Sequence, residues 1–143
     1  MKWLLAVSIW LLAAGCATMS LYNLTNEESN YLQRAMSCPL SFSLSSTESE
    51  AAWARAQGFI GRYSRLKLQV ATDYVLQTYS GGQHGTSPSY YITRTPEGEK
   101  HYYTVESYVN NIFSGSDANT AAHECALYIK TGELPPTARL IIR

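Results

Sequence analysis

The chain has 143 residues, with eleven basic and eleven acidic side chains and a net charge of zero at neutral pH. That length suits one domain around one core. The charge balance excludes the strongly basic surface that nucleic acids or anionic membranes select.

The first element is a leader. Met1 and Lys2 are followed by an apolar run from Trp3 to Ala14, interrupted only by Ser8, and then by Gly15-Cys16. A positive start, a short apolar run and small residues at the cut are the parts of a secretory signal. The run is too short to span a bilayer, which takes about twenty apolar residues. Ala13-Ala14-Gly15-Cys16 resembles the lipobox of bacterial lipoproteins, with Ala13 where that family usually carries Leu. The resemblance covers only the leader. It implies cleavage before Cys16 and lipidation of Cys16, with palmitate among the attached chains. Each buried methylene contributes about 0.8 kcal/mol, so several chains on one residue anchor stably. Ala17 stands where an Asp would retain such a protein in the inner membrane. The resemblance therefore implies the outer membrane, with the protein facing the periplasm. Residues 1–15 are then the signal peptide, 16–24 a tether and 25–143 a single α+β periplasmic domain.

Three cysteines are an odd count for an exported chain. Setting Cys16 aside leaves Cys38 and Cys125. An oxidising compartment favours a disulfide between them. Closing so long a loop is worth about 4–5 kcal/mol in the chain-entropy picture. Two buried free thiols are the alternative, because cysteine is often a small core residue.

Thr25-Asn26-Glu27-Glu28 fits a capping box, and Tyr31, Leu32, Ala35 and Met36 follow at helical spacing. Pro39 ends that helix. Residues 40–46 are rich in serine and read as a loop. Thr47-Glu48-Ser49-Glu50 reads as a second capping box. It leads into the stripe Ala52, Trp53, Ala56, Phe59, Ile60 and Tyr63. Trp53 is the expected core anchor. Acidic residues at the start and Arg62 and Arg65 at the end suit the helix dipole.

From Leu66 to Tyr79 apolar and polar residues alternate, which predicts one long strand with one buried face. Three glycines and Pro88 make residues 80–89 a loop. Ser89–Thr95 and Lys100–Val109 are two strands around Pro96-Glu97-Gly98-Glu99. Pairing Thr95 with Lys100 puts Tyr90, Ile92, Tyr103 and Val105 on one face and Tyr91, Thr93, Tyr102 and Thr104 on the other. A one-residue slip would exchange the faces of one strand. Asp117 caps a last helix with Ala118, Ala121, Ala122, Cys125 and Ile129 on one side, and Gly132 stops it. Leu140-Ile141-Ile142 is either an edge strand or a docking segment. The expected fold is α+β: a small antiparallel three- or four-stranded sheet with helices packed on one face.

Signals of chemistry are weak. His123-Glu124 begins like a zinc-protease motif, but Leu127 stands where the second His is needed. His84 and His101 add no metal-ligand spacing, so no metal and no cofactor are expected. Ser80 and His84 share one loop, yet proximity in sequence does not make a catalytic dyad. Asp73 and Glu106 lie on strands and could form a carboxylate pair, although exposed strand carboxylates are usually just solvated. All eleven tyrosines lie beyond Cys16. Tyr79, Tyr91 and Tyr102 fall on the face read as polar, where aromatic rings can stack on a sugar or meet a protein. The resulting expectation is a non-enzymatic outer-membrane lipoprotein that binds an envelope protein or a cell-wall component. Its partners would be the membrane, through the lipid on Cys16, and that envelope component, with no nucleic acid. Two alternatives remain open. One is a periplasmic inhibitor or immunity-type protein acting through the loop at residues 80–89. The other is a small hydrolase using Ser80 or the Asp73/Glu106 carboxylates.

Overall fold

The structure, a computed structural model, describes residues 24–82, 85–110 and 115–137. The leader with Cys16, His84 and the Leu140–Ile142 segment lie outside the described residues. In chain order the elements are α1 (Asn26–Ser37), β1 (Ser41–Ser45), α2 (Ser46–Tyr63), β2 (Leu68–Ala71), β3 (Val75–Thr78), β4 (Ser89–Glu97), β5 (Lys100–Tyr108) and α3 (Gly115–Thr131). The strands form one antiparallel sheet in the order β1-β5-β4-β3-β2. The fold is α+β, with five strands among the described residues where three or four were expected.

The extra strands have local causes. Ser41–Ser45 is strand β1 rather than a loop. Phe42 is buried in the core and Leu44 packs against it, while Ser41, Ser43 and Ser45 face outward. The long alternating run breaks at Thr72-Asp73-Tyr74 into two strands. The Thr72 hydroxyl accepts from the Tyr74 and Val75 backbone N–H groups at 3.2 and 2.9 Å. That side chain offers the backbone a turn in place of a straight ladder.

Thr25 and Glu28 make the expected capping box on α1. Thr25 Oγ1 accepts from Glu28 N at 3.1 Å, and Glu28 Oε2 accepts from Thr25 N at 2.9 Å. α2 starts earlier than expected, because Ser45 rather than Thr47 is its cap and Glu48 closes the box. α3 ends at Gly132, whose φ of +78° suits a residue without a side chain. Among the described residues no helix is long and apolar enough to cross a membrane.

The β4–β5 hairpin pairs Glu97 with Lys100. It turns on Gly98, whose φ is +62°, followed by Glu99. The register is thus two residues from the expected one, so each side chain keeps its expected face. Pro96 stays in the strand because β4 there has β5 as a neighbour on one side only.

One sheet face is covered. Phe42, Leu76, Tyr90, Ile92, Tyr103 and Val105 meet Tyr31 and Ala35 of α1, the α2 stripe and the alanine-rich side of α3 in one core. Trp53 is buried at its centre, tilted against Tyr103 with ring centroids 6.3 Å apart. Cys38 and Cys125 are buried free thiols rather than a bonded pair. Cys38 caps α1, and its Sγ points to the Pro39 carbonyl at 3.8 Å. Cys125 lies near Tyr31 and Tyr90, where its charge would act on their phenols.

Burial pushes the pKa values of Tyr31, Tyr90 and Cys125 well above their ordinary values. The unfolded chain loses these protons near pH 8.5 for cysteine and about 10 for tyrosine, while the folded protein holds them. Raised folded values give stability that is present below the unfolded values and is lost as pH climbs toward the folded ones. Each group contributes a slope of about 1.4 kcal/mol per pH unit once its unfolded form has ionised. Denaturation curves should therefore coincide at pH 6 and 8 and show a steep fall in stability between pH 9 and 11. Equal stability at pH 8 and 11 would contradict the burial of these groups.

Candidate functional site

The uncovered face of the sheet carries the side chains of opposite parity. Across β3, β4 and β5, Gln77 faces Tyr91 and Tyr91 faces Glu106. The next row toward the β4–β5 turn is Val75, Thr93, Thr104 and Ser41. The Thr93 and Thr104 hydroxyls bond to each other at 2.5 Å. Beyond them Thr95, Tyr102 and Ser43 are aligned.

Toward the other end of the face the aromatic character rises. Tyr79 and Tyr108 are 53% and 55% exposed, and Tyr91 is half-buried between them. These three rings border a groove of about 640 Å³ that Gln69, Gln77, Glu106 and Asn110 also line. The Tyr108 hydroxyl donates to Glu106 Oε2. That bond raises the pKa of the Tyr108 phenol, which stays protonated at neutral pH. The Ser89 hydroxyl donates to the Tyr108 carbonyl at 3.0 Å and ties the end of β4 to β5.

Beside the groove Gly85 lies close to Gly81, and a side chain on Gly85 would overlap the Gly81 carbonyl oxygen, so only glycine fits. Ser80, just before Gly81, also lines the groove.

Of the sequence-selected tyrosines, Tyr79 and Tyr91 line the same groove. Tyr102 is 37% exposed on the same face but lies opposite Thr95, four residues along β5 from Glu106, and does not line it. Tyr108 was not selected from sequence. Its signal was present, because Tyr102, Thr104, Glu106 and Tyr108 share one strand parity. Gln77 and Asn110 carried no signal of their own and become part of the site only through strand pairing.

The other candidates do not assemble. Asp73 is in the β2–β3 turn, where its backbone carbonyl accepts from Arg94 Nε at 3.0 Å, and Glu106 is at the opposite end of the sheet. Glu106 is the one carboxylate lining the groove among the described residues. A glycoside-cleaving site ordinarily needs two carboxylates flanking the bond. His123 Nδ1 bonds to the Cys38 carbonyl at 2.8 Å, which ties the end of α1 to α3. His101 is half-buried on β5. Among the described residues no three His, Cys, Asp or Glu side chains gather to hold a metal ion.

The opposite face holds an uncommon feature that sequence reasoning missed. Arg94, on the core side of β4, is only 6% exposed. Its guanidinium lies 4.9 Å from the Trp53 ring centroid and donates to Glu50 Oε1 at 2.9 Å. Nearby, Ser49 Oγ and the Tyr103 hydroxyl lie 2.8 Å apart, and that hydroxyl donates to the Ser49 carbonyl at 2.8 Å. These groups lock α2 to the sheet beneath the open face. No family model, curated protein or solved structure matches the chain.

Proposed function

We propose that the protein is a non-enzymatic lipoprotein, anchored in the outer membrane through lipid on Cys16 and facing the periplasm. Its folded part engages an envelope protein or a cell-wall component through the open face of the sheet. One observation carries the binding half of this reading. Three tyrosines converge on one groove of a sheet face whose other side, across β1, β5, β4 and β3, packs into the core. Exposed aromatic rings gathered into one patch mark an interaction site, whereas rings scattered singly need no such explanation. The leader motif carries the anchoring half.

Each half has its own test. Cys16→Ser should move the protein out of the outer-membrane fraction and abolish acyl labelling. Unchanged fractionation with normal leader cleavage would remove the anchor. For the binding half, isolated envelopes should retain the lipid-free chain beginning at Ala17. Replacing Tyr79, Tyr91 and Tyr108 together by alanine should lower that retention by about tenfold or more, as loss of a central aromatic cluster does. Equal retention of the two proteins would show that the face is not the binding surface.

A further inference from the structure

Resting on the reading of the open face as a binding surface, we propose that the Tyr79–Tyr91–Tyr108 groove takes a neutral oligosaccharide. Charge decides the class. Among the described residues, the groove lining includes the Glu106 carboxylate and no Lys, Arg or His. A phosphate, a nucleic acid or an acidic peptide would bring negative charge beside the Glu106 carboxylate, with no cation in the described lining to receive it. A ligand without charge meets no such cost.

The polar groups narrow the class further. Gln77 and Asn110 each offer a carbonyl acceptor and an amide donor on one planar group. Neighbouring hydroxyls on a sugar ring present the same alternation of donor and acceptor. Glu106 keeps acceptor capacity beyond its bond to Tyr108. The bond to Glu106 also holds Tyr108 at the groove border, so less freedom is lost when a ligand arrives. Tyrosine rings present a flat apolar surface, which matches the C–H face of a pyranose, and a hydroxyl at the rim for its edge. A volume of about 640 Å³ lies within the usual range for a small-molecule site, roughly 300–1,000 Å³.

A protein partner fits less well. Besides tyrosines, the described lining consists of amides, hydroxyls and a carboxylate, whereas the centre of a protein interface is depleted in Asp, Glu and Ser. The exposed Met36 is on α1, away from this groove, and the exposed Leu68 of β2 precedes the lining residue Gln69 without lining the groove itself.

The test titrates detergent-solubilised full chain with two neutral probes, the tetramer of N-acetylglucosamine and maltotetraose, followed by tyrosine fluorescence and amide chemical shifts. Saturable binding of at least one probe is expected, and the preference between them separates an amino-sugar wall strand from a plain glucan. Tyr79→Ala and Tyr108→Ala should each weaken binding by about tenfold. Both residues are more than half exposed, so the fold should survive. Tyr102→Ala, on the same face but outside the groove, should leave binding unchanged. No saturation with either probe would overturn the proposal, as would equal weakening by Tyr102→Ala. If envelopes still retain the protein through these tyrosines while both probes fail, the binding face stands and its ligand is a protein. If retention fails as well, the face itself is not a binding surface.

Discussion

Arg94→Ala is expected to lower the unfolding free energy by about 3 kcal/mol, or roughly 10 °C in Tm. Three losses add up. The stacking of the guanidinium on Trp53 is worth about 1–2 kcal/mol in a desolvated site. The hydrogen bond to the Asp73 carbonyl contributes about 1 kcal/mol. The rest is the space left between β4 and α2. The ion pair itself contributes little, because the Glu50 side chain is 74% exposed and water replaces its partner. Glu50→Gln should therefore cost less than about 1 kcal/mol. Arg94→Met, which restores the volume without the charge, should fall between the two. Urea denaturation of the three variants checks the order. If Glu50→Gln were as harmful as Arg94→Ala, the ion pair rather than the packing would be what holds α2 to the sheet.

Phe59→Ala should cost more, about 4 kcal/mol, in line with other buried Phe truncations. Phe59 is the hub of an aromatic cluster that joins three elements. Its ring centroid lies 5.5 Å from those of Tyr63 and Tyr90 and 5.8 Å from that of Tyr128. Tyr63 and Tyr128 also meet edge to face at 6.2 Å. Removing Phe59 takes one member from each of those three ring contacts and leaves a void that Ala56 and Ile60 are too constrained to fill. Against a total stability of about 5–15 kcal/mol for a small domain, this is a large share. Phe59→Leu should cost about 1.5 kcal/mol or less. Thermal melts separate the two, and similar melting temperatures for Ala and Leu would mean that the site collapses without a cavity. The consequence reaches the binding face. Tyr90 and Tyr91 are successive residues of β4 pointing to opposite sides, so the packing of Tyr90 on Phe59 fixes where Tyr91 stands in the groove.

These two residues also mark what could be read from the chain. Phe59 belongs to a stripe with helical spacing and flanking charges of the right sign, and the structure places that stripe in the core. The faces of the β4–β5 hairpin were legible for a similar reason. Strand parity survives a two-residue error in register, so Pro96 and Glu97 could join the strand without moving any side chain to the other face. Arg94 was not legible as a core residue. Its parity with Tyr90 and Ile92 pointed inward, but its charge pointed outward, and the ring of Trp53, the Asp73 carbonyl and the Glu50 carboxylate make burial tolerable. β1 escaped notice because three of its five residues are serine, and its strand character comes from pairing with β5 rather than from composition. The break at Thr72 was masked by alternation that continues on both sides of the turn. The candidate site was half legible. Tyr79 and Tyr91 carry their exposure in strand parity, whereas the groove that joins them to Tyr108, Gln77 and Glu106 exists only after three strands are paired.

Site-specific photocrosslinking in intact envelopes would probe the open face where it works. A photoreactive phenylalanine analogue placed at position 79 or 108 should give adducts with an envelope component. The same analogue at Gln57, exposed on α2, should give none. Absence of adducts from both open-face positions, or the same adducts from position 57, would contradict the assignment of binding to this face.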